Sequence, residues 1–206
     1  WTDTSTNNTE ASGTRNDNIP GDGKFDQVSF PSLVELEVGR VDLHNMTKAP
    51  NSSVSEISRL RRYLKKAHDF RHKQGAYSAI PRRSLIRDGF GHAFSSEPFA
   101  INGWAGAYSC VGTSVDQAPS NQWFSATYAG GKDYLAGHAC GGGSQESASN
   151  FGTTADLGCR PSRVVFVSLF GSYHGDWDAD NNLMRAVLAG NANDTSLGLT
   201  CFWGGR

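Results

Sequence analysis

The sequence predicts an α/β domain built on parallel strands flanked by helices, and three observations carry that expectation. Residues 163–175 form an apolar run that closes on Ser172-Tyr173-His174-Gly175, and residues 195–202 form a second run that closes on Thr200-Cys201-Phe202. Between them, residues 181–189 (Asn-Asn-Leu-Met-Arg-Ala-Val-Leu-Ala) have helical spacing. Strand, helix and strand make a βαβ unit, so both strands run parallel and their C-terminal ends share one edge of the sheet. Open α/β sheets build their sites along that edge.

The elements before this unit follow in order. Residues 1–18 are almost devoid of apolar side chains and read as a polar N-terminal tail, leaving residues 19–206 as the domain. Residues 33–41 read as a strand, with alternation before Gly39. Ser53-x-x-Glu56 has the form of a capping box, opening a helix whose Ile57, Leu60, Leu64, Ala67 and Phe70 make one apolar stripe. Residues 75–160 are rich in glycine and aromatics with weak periodicity and read as an irregular insertion. Within it, residues 84–89 suggest a short strand and turn, and Gly141-Gly142-Gly143-Ser144 a flexible loop.

Composition excludes several classes. The 206 residues suit one domain, with or without a tail. A net charge of −1 gives no global pull toward nucleic acid. Residues 55–87 do hold ten of the 19 Lys and Arg against two acids, and they read as a solvated helix face rather than a nucleic-acid patch. No run of 18 apolar residues offers a membrane span. The start at Trp1, with neither Met nor signal peptide, suggests a processed or excised piece.

Chemistry concentrates in a few places. Cys201 and His174 would lie together at the sheet edge, where an imidazole can help generate a thiolate and later protonate a leaving amine. Gly175 would leave an amide open to a developing oxyanion. The alternative is a buried structural cysteine beside a histidine at a strand end. His138-Ala139-Cys140 is a competing pair, but a metal site there lacks two further ligands at a recognisable spacing. Residues 16–26 set Asp17, Asp22 and Asp26 around a glycine turn as hard oxygen ligands for calcium. Asp176 and Asp178 offer a second, weaker calcium pattern, or simply sit near the start of a helix that Asp180 would cap. Cys110, Cys140, Cys159 and Cys201 follow no metal-ligand spacing, and in a secreted chain one disulfide among the first three would leave Cys201 free. Asn7, Asn45, Asn51 and Asn193 head glycosylation sequons. There is no serine-hydrolase elbow, because Tyr173 occupies its centre, and no P-loop or dinucleotide fingerprint.

An apolar block ending in His174-Gly175, then a second ending in a small residue and Cys201, resembles the caspase–gingipain group of cysteine peptidases. Gly21-Asp22-Gly23, then Val38-Gly39-Arg40, then a capped helix narrows the resemblance to the gingipain type. It covers residues 16–72 and 163–203. It implies a caspase-like, mostly parallel sheet, incomplete in this chain and interrupted by residues 75–160. It further implies His174 as catalytic histidine, Gly175 as an oxyanion amide and Cys201 as nucleophile, acting on a peptide or protein substrate. Calcium, and a secreted or cell-surface location within a longer polypeptide or assembly, also follow from it. Thr200 stands where the group usually has Ala, and Tyr173 where Gly is common. A non-catalytic structural or adhesive domain is the rival expectation.

Overall fold

In chain order the elements are α1 (Glu56–Arg71), β1 (Ser84–Asp88), α2 (Pro98–Val111), β2 (Val115–Gln117), β3 (Tyr134–Cys140), β4 (Gly143–Ser144), β5 (Ser147–Ala148), β6 (Gly152–Thr153), α3 (Thr154–Cys159), β7 (Val164–Phe170), α4 (Leu183–Ala189) and β8 (Thr200–Gly204). The computed structural model describes residues 39–48, 51–90, 98–176 and 178–204. The chain divides into compact units 1–40 and 41–206, and all these elements belong to the second. That unit therefore starts well beyond the expected boundary at residue 18. Leu43 and Met46 are already buried in its core.

The main sheet has the order β2-β1-β3-β7-β8, and every pairing in it is parallel. The α/β, mostly parallel sheet flanked by helices is thus as expected. The adjacency of β7 and β8 follows from the helix that joins them. Residues 75–160 are not an irregular insertion, because they supply β1, β2 and β3, three of the five strands. β1 is buried at all five positions and β3 is buried or half-buried throughout. Strands covered on both faces show no alternation to read.

From β1 the chain crosses through α2 to β2 on one side, then returns past β1 to β3 and proceeds through α3 and α4 toward β8. Right-handed crossovers running in opposite directions place α2 on one face of the sheet and α3 and α4 on the other. The contacts agree: α2 packs on β1, β3 and β7, whereas α4 packs on β8 and α3. On the α4 face, Leu183, Ala186 and Val187 join Leu85, Ala139, Val167 and Leu169 in one buried cluster. A small antiparallel sheet, β4-β5-β6, follows β3.

Helix α1 departs from its expected arrangement in two ways. Its cap is Ser55, whose hydroxyl accepts from the Ser58 amide, and Ser53 instead ends a short 3-10 turn. Ile57, Leu60 and Leu64 face solvent, while Arg59 and Lys66 are buried. The reason lies in the carbonyls beneath the helix. Arg59 donates to Leu43 O and Met46 O, Arg62 to Ala192 O, and Lys66 to Leu188 O and Gly198 O. Basic heads satisfy loop and helix-end carbonyls that apolar side chains would leave stranded. Only Ala67 and Phe70 of the predicted stripe pack inward, against the cluster of Tyr77, Val165, Leu197 and Leu199.

Candidate functional site

The expected catalytic pair comes from neighbouring strands but not from one level of the sheet. His174 lies four residues past the end of β7, in a turn. Cys201 is the second residue of β8, in register with Val167. Phe170, the last residue of β7, pairs with Gly204. Cys201 therefore sits three residues below the strand ends, roughly 10 Å along the sheet. Its strand starts later than expected and runs on through Trp203. Alternation sets Cys201 on the face of Val167, where it packs against the α4-side core. Burial pushes its thiol pKa far up, so it is held as the thiol.

His174 is fully buried and enclosed by backbone. A Cβ at Gly143 would lie 2.6 Å from its Nε2, and one at Gly171 would lie 2.5 Å from its Cε1. Nε2 sits 3.0 Å from Ser147 O, and Nδ1 has no hydrogen-bond partner among the described residues. Burial holds this imidazole below the usual histidine range, and the Ser147 carbonyl opposes that only in part. Tyr173 takes a left-handed φ of 64°, which explains why a glycine would be natural in its place. Gly175 has a steric reason of its own, since a Cβ there would meet Trp203 Cε3 at 2.1 Å. The same indole donates from Nε1 to Gly171 O at 2.7 Å. Trp203 thus clamps the turn from Gly171 to Gly175.

Asn182, not Asp180, caps α4. Its Oδ1 accepts from the amides of Met184 and Arg185, while its Nδ2 donates to His174 O and Asp176 O. One amide therefore fixes both the helix start and the turn after His174, which a carboxylate could not do. Asp176 accepts from Gln145 Nε2, and Asp178 is exposed. Among the described residues, no three His, Cys, Asp or Glu side chains gather to hold a metal ion. Asp17, Asp22 and Asp26 lie outside the described residues. All four cysteines are free.

The reversal of chain direction falls between β1 and β3, and a polar cluster occupies their C-terminal ends. Such switch points form the crevice where open α/β sheets bind ligands. Asp88 and Cys140 end the two strands in register and are both buried. The Cys140 thiol donates to Asp88 Oδ1 at 3.3 Å, and Trp104 Nε1 donates to Asp88 Oδ2 at 3.2 Å. Burial, together with Asp88, raises the Cys140 pKa to about 11 against the pull of nearby backbone amides. Two residues earlier and on the same face, His138 places Nδ1 3.1 Å from Ser168 Oγ. Burial lowers the His138 pKa to about 4, so this imidazole is neutral at pH 7. No family model, curated protein or solved structure matches the chain.

In the sequence His138 and Cys140 stand out as a competing pair with too few further ligands for a metal, whereas nothing there singles out Asp88, Trp104 or Ser168. One signal was present: two chemically active residues spaced two apart, ahead of three glycines, fit one face of a strand that ends in a turn.

Proposed function

We propose that the chain is a caspase-like scaffold domain of a secreted or cell-surface assembly, and that Cys201 serves its core rather than peptide hydrolysis. The observation that carries this reading is the register of Cys201 with Val167. It puts the thiol three residues below the strand ends, against the apolar α4 side, whereas His174 is held in the turn beyond β7. A nucleophile and its base must come within hydrogen-bond reach of each other and of a substrate carbonyl. Here the thiol is kept protonated by burial and the imidazole is engaged with Ser147 O.

One observation favours the peptidase alternative. β7 and β8 are parallel neighbours, and the buried His174 Nδ1 has no partner among the described residues, so a rearrangement that raised Cys201 could supply one. In that mechanism Cys201 would attack a peptide carbonyl, His174 would transfer the proton, and the Gly175 amide would face the oxyanion. Alkylation at pH 7, followed residue by residue by mass spectrometry, separates the two. The scaffold reading expects exposed Cys159 to react first and Cys201 last. Modification of Cys201 ahead of Cys159 would restore the peptidase and overturn the scaffold.

A further inference from the structure

Helix α1 reverses the usual order of a surface helix. Its inner side is polar, with Arg59, Arg62, Tyr63 and Lys66 all donating to main-chain carbonyls beneath it. Its outer side carries Ile57, Leu60 and Leu64, which are 63%, 41% and 57% exposed. Single exposed aliphatic residues are ordinary, but positions i, i+3 and i+7 are neighbours on one face and form a continuous stripe. The buried carbonyls explain why basic side chains face inward. They leave unexplained why large aliphatic side chains on the same helix forgo burial.

The form of the stripe indicates what would cover it. A spacing of three and then four residues is the seam of a helix–helix contact, one residue wide. A lipid surface calls for a broader apolar face. The charges beside the seam set the sign of the partner. Arg61, Lys65 and Arg71 are exposed along its flank and at its C-terminal end. Lys65 holds Asp69, whereas Arg61 and Arg71 have no acidic partner among the described residues. Glu56, the exposed acid of the helix, meets His44. A second copy would bring the same exposed cations with only Glu56 to meet them, so it suits the surface poorly.

We propose that the outer face of α1 docks an acidic amphipathic helix of a partner protein. The apolar seam of that helix would cover Ile57, Leu60 and Leu64, and its Asp or Glu residues would meet Arg61 and Arg71. Apolar seams supply the contact in such packing, and the flanking charges select the partner. The α1 face involves neither Cys201 nor His174, so docking there holds under either reading of that pair.

The test titrates the full chain into labelled helical peptides of about three heptads, followed by fluorescence anisotropy. One peptide carries Leu at the seam and Glu at the flanks, and the other carries Leu with Lys at the flanks. Like charges keep each from pairing with itself. Saturable binding of the Glu peptide is expected, about tenfold or more tighter than the Lys peptide and weakened by added salt. Leu64→Ser should weaken it by about tenfold. Arg61→Glu combined with Arg71→Glu should reverse the preference between the peptides, a readout that loss of the fold would not give. Circular dichroism verifies that the variants fold. Absence of saturable binding by the Glu peptide would overturn the proposal, as would equal affinity for the two peptides. So would unchanged binding in Leu64→Ser or unchanged preference in the folded double variant. Sedimentation showing self-association that Leu64→Ser abolishes would assign the stripe to a second copy instead. Binding to phosphatidylserine vesicles that Leu64→Ser abolishes would assign it to a membrane, and either result overturns the protein partner.

Discussion

The two faces of one sheet solve different packing problems. On the α4 face, Leu85, Val167 and Leu169 meet Leu183, Ala186 and Val187, all of them buried in a single cluster. On the α2 face, serines, alanine and a glycine-bearing helix leave space around a neutral histidine. The strands are shared, so backbone hydrogen bonding does not distinguish the faces. Side-chain volume does, and the contrast teaches that close packing on one face is compatible with a cavity on the other.

That contrast predicts its own largest effect. Leu169→Ala should cost about 2–5 kcal/mol in urea unfolding, the range for emptying a packed core site. Ala136→Val, which adds volume to the cavity side, should change stability by less than about 1 kcal/mol. Equal losses from the two substitutions would break the comparison.

Each side also holds a buried titratable group, and their pH windows differ. His138 has a folded pKa of about 4, below the usual 6.5, so the unfolded chain takes up its proton first as pH falls. Its contribution is complete above pH 6.5 and is lost between pH 6.5 and 4, by about 3 kcal/mol. The acid limb of the stability curve should flatten in His138→Leu. Lys66, beneath the end of α4, has a folded pKa of about 8 against 10.5, chiefly through burial. Charging it opposes folding below pH 8, so stability should rise between pH 8 and 10.5, and Lys66→Met should remove that rise. Melting curves across both windows test the pair.

A smaller effect, about 1–3 kcal/mol, is expected for Gly175→Ala, which forces the Trp203 indole to move. Chemical denaturation measures it. A neutral result would mean that Trp203 does not clamp the turn.

The βαβ unit of β7, α4 and β8 was legible because its strands are rich in β-branched and aromatic residues and a short helix lies between them. The first half of the sheet was not. Ser84-Leu85-Ile86-Arg87-Asp88 and Tyr134-Leu135-Ala136-Gly137-His138-Ala139-Cys140 lie between covered faces and mix small with polar residues, so neither period appears. Hydropathy misled for α1, because Arg59 and Lys66 were counted as solvent-facing when their heads meet buried carbonyls. The placement of the expected pair turns on where the strands end. Three strand residues follow Cys201, which places it within β8 rather than at the strand's end.

The all-parallel order also governs the timing of folding. No two neighbouring strands of the main sheet are joined by a tight hairpin, and β1 meets β3 only after α2 and β2 have intervened. Long-range pairings pay their loop entropy before any contact rewards it, so this topology folds slowly for its size. Only β4, β5 and β6 pair locally and can form early. Until residues 200–204 emerge and dock, β7 presents an unpaired edge of valine, leucine and phenylalanine, and a growing chain is exposed there to mispairing with its neighbours.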